Sequence, residues 1–208
     1  MEKREGEVKD LAEKLKKGEI TIEEVKKEMT KRGLREQESL GWCVYHAAIW
    51  VLYLLLWLPL NFKFSHQLPS ITFPLIIIFF SLVLVAFATF SGIWMGHLHR
   101  KKGGLKGTDE TVIFYIDGPY KIMRHPGAFC LMAWLIFVPI ILSAYVPFTP
   151  LSIAAIIMMI AHFYHMVYVE EKINVRKWGD EYRQYMKEVP RFNFILGIWR
   201  LVKRKRKQ

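Results

Sequence analysis

Residues 71–95 read ITFPLIIIFFSLVLVAFATFSGIWM, 25 consecutive positions without a charged side chain. A helix of about 20 apolar residues is long enough to cross the roughly 30 Å hydrocarbon core of a bilayer. This stretch therefore has the length and the composition of a transmembrane helix. Because it carries no charge over its whole length, it indicates a membrane protein more strongly than any other part of the chain.

Three further apolar blocks lie at about residues 41–60, 128–145 and 151–169. The chain has 208 residues, of which 52% are hydrophobic. A soluble domain would distribute these residues periodically, whereas here they are concentrated in blocks. The sequence therefore predicts an all-α, polytopic membrane protein with about four transmembrane helices.

The basic residues predict the orientation. In a four-span arrangement, 29 of the 30 Lys and Arg residues lie on one side, and Lys63 in the predicted outside loop 61–70 is the exception. By the positive-inside rule that side is the cytoplasm, so both termini are expected there. The net charge of +11 is then explained by topology and lipid headgroups, and no nucleic acid is expected as a partner.

The first 38 residues form a segment of different composition, charged and without the apolar core of a signal peptide. Thr21 and Glu24 have the spacing of a capping box, and Val25 and Met29 continue an apolar stripe. We expect a short cytoplasmic helical hairpin at 1–38, followed by a membrane domain at 39–208. Such a hairpin is too small to bury its own core, so it is expected to bind a protein partner or a second copy. The alternative is a solvated, lysine-rich arm.

The hairpin is similar to charged helical modules that are appended to prokaryotic membrane proteins. We therefore expect the plasma membrane of a prokaryote as the location. With no signal peptide expected, the first apolar block is predicted to act as the insertion signal.

Polar residues stand at the ends of the last two apolar blocks. Arg124 and His125 precede Pro126, which suits the first turn of the third span. Helix-end amides, a guanidinium and an imidazole together favour an anion. The alternative is that Arg124 reaches to lipid headgroups and His125 caps the helix.

Glu170 and Glu171 are expected at the C-terminal end of the fourth span, where the helix dipole disfavours carboxylates. Two carboxylates in such a place suggest a ligand ammonium or ribose hydroxyls, and ion pairs with neighbouring basic residues are the alternative. If the third and fourth spans form an antiparallel hairpin, both polar motifs lie at the same membrane face.

Three aromatic residues, Trp178, Tyr182 and Tyr185, follow at spacings of four and three. They are compatible with an interfacial helix whose rings lie at headgroup depth. They are equally compatible with a wall against a planar ring. His162 and His165 have helical spacing in the fourth span, where they could line a substrate path. No acidic or Cys ligand accompanies them at a recognised spacing, so no metal is expected.

Two ordered sets of residues resemble a known family. They are Gly118-Pro119-Tyr120-x3-Arg124-His125-Pro126 and Glu170-Glu171-x6-Trp178-Gly179-x2-Tyr182-x2-Tyr185-x3-Val189-Pro190-Arg191. This pattern, over about residues 110–194, resembles the isoprenylcysteine carboxyl methyltransferases and the wider group that includes phospholipid N-methyltransferases. The resemblance implies S-adenosylmethionine as cofactor, bound on the cytoplasmic side. It also implies a lipid or prenylated acceptor that enters from the bilayer.

The resemblance also assigns roles to residues. The positions that match the cofactor pocket are Tyr120, Arg124, His125, Pro126, Glu170, Glu171, Tyr182 and Tyr185. The positions that match the catalytic neighbourhood are Arg124, Glu171 and Arg191. Ala128 and Cys130 stand where the family commonly has Tyr and Gly, which leaves the acceptor open between a prenylcysteine carboxylate and a lipid amine.

Two other functions remain open. Membrane reductases of the sterol reductase type share a related C-terminal hairpin with an Arg-His motif and use NADPH, although they usually have more spans. A non-catalytic scaffold, whose hairpin recruits a partner, is the second alternative. For the methyltransferase, we expect Glu171→Gln and His125→Ala to weaken cofactor binding without preventing membrane insertion.

Overall fold

The computed structural model describes residues 10–15, 17–32, 40–101, 114 and 116–206. These residues form helices joined by short turns, with no strand in the described ranges. The α-helices are α1 (Ile22–Lys31), α2 (Leu40–Trp57), α3 (Pro59–Phe64), α4 (Leu75–Lys101), α5 (Pro126–Ile141), α6 (Pro150–Glu188) and α7 (Phe194–Lys205). Two short 3₁₀ helices flank α5: Gly118–Lys121 precedes it, and Leu142–Ala144 follows it directly.

Among the residues that the structure describes, four helical segments are long and apolar enough to cross a membrane. They are Val44–Phe64, Leu75–Leu98, Pro126–Ala144 and Pro150–Glu188. Large apolar side chains along them are exposed, as expected where lipid instead of water is the solvent. The predicted all-α architecture with about four membrane-spanning helices is confirmed.

The chain forms two compact units. One contains the described parts of Met1–Glu38, Trp94–Pro126 and Val167–Gln208, and the other contains Ser39–Ile93 and Gly127–Met166. Helices α4 and α6 each contribute residues to both units. All residues that the sequence assigns to the cofactor pocket or the catalytic neighbourhood belong to the first unit.

Helix α6 extends well beyond the fourth apolar block, to Glu188. The placement of Glu170 and Glu171 at a helix C-terminus was therefore wrong, because both lie within the helix. The physical reason is that Trp178, Tyr182 and Tyr185 follow at helical spacing and are buried, so packing extends the helix after the hydrophobic run ends. Gly179, with φ 51° and ψ −127°, interrupts this extension. Only glycine readily adopts such a conformation.

The predicted loop 61–70 is correct only for its second part, because residues 61–64 belong to α3. Asn61 is fully buried. Its amide nitrogen donates to the carbonyls of Leu56 (2.9 Å) and Trp57 (2.8 Å) and to Ser152 Oγ (2.9 Å). Its amide oxygen accepts from the hydroxyl of Thr149. Burying an amide group is costly unless the group is hydrogen-bonded. These bonds explain how Asn61 is accommodated inside the second unit.

The N-terminal segment has the predicted capping box. The Thr21 hydroxyl accepts from the amide of Glu24 at 3.3 Å, and the Thr21 amide donates to the Glu24 carboxylate at 2.7 Å. Residues 10–15 and 17 are also helical, and Leu11, Val25 and Met29 are buried together. Residues 1–9 and 33–39 lie outside the described ranges, so the boundary at 38 and the binding of a partner stay predictions.

Candidate functional site

The Arg-His-Pro motif lies beside the segment that follows α6. Pro126 is the first residue of α5, as its position in the sequence predicted. The backbone amide of Arg124 donates to the carbonyl of Pro190 at 3.0 Å, and the amide of His125 donates to that of Arg191 at 3.4 Å. These bonds bring two motifs that are distant in the sequence into direct contact.

The carboxylate of Glu171 is the centre of the site. Arg124 Nε donates to its Oε1 at 2.8 Å, and Arg191 Nε donates to the same oxygen at 3.2 Å. A second nitrogen of Arg191 donates to Oε2, so this guanidinium contacts both oxygens. Glu171 is buried, and the side chain of Arg124 is 9% exposed. The expected alternative of an ion pair between the glutamates and Arg124 is thus observed for Glu171, and it is part of a larger network.

His125 lies between the two glutamates. Its Nδ1 is 3.1 Å from Glu170 Oε2, and its Nε2 is 3.3 Å from Glu171 Oε1. Burial alone would lower the pKa of His125, but the two carboxylates outweigh burial and raise this pKa to about 9. At neutral pH the ring is therefore an imidazolium. Three cations then face two carboxylates, which gives the cluster a net charge of +1.

The charge of His125 predicts a pH dependence of stability. Because its pKa in the folded chain, about 9, is above the ordinary value of 6.5, the stabilisation is fully present below about pH 6.5. It is lost as the pH rises through 9, and it amounts to about 3 kcal/mol. We expect thermal unfolding between about pH 7 and pH 10 to show a steeper loss of stability in the wild type than in His125→Asn.

The matched control for this experiment is His97→Asn, because His97 is an exposed histidine in α4. Comparing variants also removes the contribution of Tyr and Lys residues that titrate in the same range. Equal pH dependence in the wild type and in His125→Asn would contradict the imidazolium assignment.

Arg124 also closes the end of the part of α6 that follows the interruption at Gly179. Its Nη1 donates to the carbonyls of Met186 and Val189, both at 2.6 Å. Carbonyls at a helix C-terminus lack partners within the helix, and a cation there also interacts favourably with the helix dipole. Arg124 is therefore both a partner of Glu171 and a cap of α6.

The three aromatic residues of the second motif are buried together. The Phe114 ring is stacked on Trp178 with 5.3 Å between centroids, and Phe114 also contacts Tyr182 and Tyr185. The Tyr185 hydroxyl donates to the carbonyl of Tyr120 at 2.7 Å. Because Trp178, Tyr182 and Tyr185 are buried in protein, the interfacial alternative, with rings at headgroup depth, is contradicted. The alternative in which these rings form a wall against a planar ligand ring stays a prediction.

Sequence reasoning missed three members of this region. Phe114 completes the aromatic cluster, and Asn174 Nδ2 donates to the hydroxyl of Tyr182 at 3.4 Å. Lys177 is buried, with Nζ 5.6 Å from the centroid of the Trp178 ring. Asn174 and Tyr182 lie on either side of the interruption at Gly179, so regular helical spacing does not predict their contact. No sequence signal distinguishes Lys177 from the other basic residues that flank a span.

The histidines at positions 162 and 165 belong to the other unit. His162 Nε2 lies 2.8 Å from His46 Nδ1, and the ring of Tyr45 contacts His46, His162 and His165. In the part of the chain that the structure describes, no group of three or more His, Cys, Asp or Glu side chains could hold a metal ion. That these histidines line a substrate path stays a prediction.

Comparisons with known proteins give no relative. No protein-family model, no curated protein and no solved structure matches the chain. The interpretation of the site therefore depends on its own geometry and chemistry.

Proposed function

We propose that the chain is an S-adenosylmethionine-dependent methyltransferase whose acceptor is an amphipathic molecule held in the bilayer. The observation that carries the proposal is the partly exposed pair of opposite charges at the site. The side chain of Glu170 is 35% exposed and that of Arg191 is 31% exposed, while Glu171 and His125 between them are buried. A zwitterionic amino-acid end, such as that of the cofactor, has the charges that fit this pair.

Both residues of the pair are partly exposed, so a ligand can reach them. Glu170 contacts His125 through one carboxylate oxygen, and its exposed fraction leaves room for an ammonium group. Arg191 contacts both oxygens of Glu171, and its guanidinium brings a positive charge to the exposed side of the cluster, where a ligand carboxylate would fit. The buried Glu171 and His125 hold both residues in place.

When bound, the cofactor supplies a methyl group on a positively charged sulfur. Glu170 and Arg191 would hold its ammonium and carboxylate groups, and the methyl group would be available for transfer to an acceptor oxygen or nitrogen. A carboxylate acceptor needs no proton transfer, whereas an amine acceptor releases one proton, for which Glu170 is the exposed base. The residues of the site therefore act by orienting both partners and excluding water.

The membrane setting supports an acceptor from the bilayer. In the described parts of the chain, four helices are long and apolar enough to span a membrane. Arg124 and His125 directly precede one of them, and Glu170 and Glu171 lie in the C-terminal half of another. The bias of basic residues favours the cytoplasmic side of a prokaryotic plasma membrane for this site. An acceptor of the prenylcysteine carboxylate or lipid amine type is compatible with both the charges and the setting.

Calorimetry on detergent-purified protein tests the proposal, with S-adenosylmethionine, S-adenosylhomocysteine and NADPH as ligands. We expect micromolar binding of the first two. We also expect Arg191→Ala to weaken this binding by about tenfold, which corresponds to about 1.4 kcal/mol. Arg183→Ala is the matched control, because Arg183 pairs with Asp180 in the i, i+3 position on α6.

Two outcomes would contradict the proposal. Binding of NADPH alone would assign the chain to the reductases of the alternative interpretation. Absence of binding by all three ligands, in protein that unfolds cooperatively, would favour a scaffold.

A further inference from the structure

The C-terminal helix α7 has an apolar face that no other part of the described chain covers. Ile195 is 68% exposed and Trp199 is 57% exposed, and Ile198 and Val202 are also exposed. Spacings of three and four residues place these four side chains on one face of the helix. Asn193 is the N-cap of the helix, and its side-chain oxygen accepts from the amide of Leu196 at 3.0 Å.

The opposite face of α7 contacts the rest of the first unit, to which α7 belongs, through small and charged residues. Gly197 packs against the backbone of Ile122. Arg200 donates to the carbonyl of Lys187 at 3.0 Å. Arg204 donates to the carboxylate of Glu188 at 2.8 Å and to the carbonyl of Lys121 at 3.3 Å. In a water-soluble protein the apolar face of such a helix packs against the protein. In α7 the small and charged residues pack against the protein, and the apolar face is exposed.

The charge of this segment is entirely basic. Residues 194–208 contain six Lys and Arg residues and no Asp or Glu. Lys203 is exposed, with Nζ 5.0 Å from the centroid of the Trp199 ring, and Arg206 is exposed at the end of the helix. Exposed basic side chains therefore accompany the apolar face, and one of them stands directly over its tryptophan.

We propose that α7 lies in the surface layer of the bilayer and binds anionic lipid headgroups. Its apolar face would enter the boundary between headgroups and acyl chains, where tryptophan is favoured. Lys203 and Arg206 would contact the phosphates, and each basic residue near such a surface contributes about 1 kcal/mol, or about fivefold in lipid preference. Charge complementarity favours this occupant over a second copy of the chain, whose own α7 is equally basic. The inference does not depend on methyl transfer.

A fluorophore at position 198 tests this placement in the full-length protein. Ile198→Cys is labelled in a background with Cys43→Ala and Cys130→Ala, and the protein is reconstituted in nanodiscs of phosphatidylcholine and phosphatidylglycerol. We expect quenching by brominated acyl chains and shielding from aqueous iodide. Glu181→Cys, at an exposed polar position of α6, is the control and is expected to show the reverse.

The lipid preference is measured with bromine on only one of the two lipids at equal mole fraction. We expect brominated phosphatidylglycerol to quench the label at 198 more strongly than brominated phosphatidylcholine. Lys203→Gln together with Arg206→Gln should lower this preference by up to about 25-fold, about fivefold for each charge removed. High salt should lower it as well.

Three outcomes would overturn the inference. The first is quenching of the label at 198 by iodide to the same degree as the label at 181. The second is shielding from both iodide and brominated lipid, which would mean that protein covers the face. The third is equal quenching by the two brominated lipids in the wild-type background.

Discussion

Replacing Glu171 by glutamine lowers the free energy of unfolding by about 3–5 kcal/mol, because the change removes the shared partner of several buried or partly buried cations. His125 is buried, Arg124 is partly buried, and both contact this carboxylate. A glutamine oxygen still accepts a hydrogen bond, but it carries no charge to balance them. Thermal unfolding of the purified protein, followed by tryptophan fluorescence, measures the effect.

Glu170→Gln is the matched control for this prediction. The two glutamates are adjacent on α6 and both contact His125, but the side chain of Glu170 is 35% exposed and that of Glu171 is 3% exposed. Water screens the interaction of Glu170 in part, so we expect a smaller loss than for Glu171→Gln, about 1–2 kcal/mol. An equal loss of stability in the two variants would contradict the central role of Glu171.

The same contacts change how a binding experiment on Glu171 is interpreted. The sequence alone predicts weaker cofactor binding with insertion unaffected for Glu171→Gln and His125→Ala. Because Glu171 also holds Arg124 and Arg191, a loss of binding in Glu171→Gln has to be separated from partial unfolding. Arg191→Ala is the cleaner variant, since this side chain is partly exposed and the change leaves Arg124 and His125 in contact with Glu171.

Features that depend on local sequence could be predicted. The apolar blocks indicate the spans because their length matches the bilayer, and Pro126 begins α5 because its missing amide is tolerated in a first turn. Thr21 and Glu24 form their capping box for a similarly local reason. The motifs around Arg124 and Glu171 were also recognised as belonging together, although their partners and distances were not.

Features that depend on tertiary packing could not be predicted. The end of an apolar block does not mark the end of α6, because buried aromatic residues continue the helix after the lipid-facing part. Asn61 and Lys177 read as surface residues by type, yet both are buried. Asn61 bonds Thr149 and Ser152, which are distant in the sequence. Lys177 lies on a part of α6 that packs against protein. A local sequence pattern shows neither kind of environment.

The second large effect is expected for Gly197→Ala, which should release α7 from the rest of its unit. A Cβ atom at position 197 would lie 1.8 Å from the carbonyl oxygen of Ile122 and 2.7 Å from its carbonyl carbon. Both are backbone atoms, so a side-chain rotation cannot relieve the clash. Overpacking of this kind costs about 1–3 kcal/mol or more. The helix is therefore expected to move away, with loss of the contacts of Arg200 and Arg204.

Limited proteolysis by trypsin measures this release, because α7 contains Arg200, Lys203 and Arg204 as cleavage sites. When opening is fast, cleavage follows the population of the open form, so we expect about tenfold faster cleavage in Gly197→Ala. Gly92→Ala is the matched control, since a Cβ there meets no atom within 4 Å. It should leave cleavage unchanged, whereas wild-type cleavage rates in Gly197→Ala would mean that α7 is not held through Ile122. Ile122 is two residues before Arg124, so release of α7 should also weaken cofactor binding at the site.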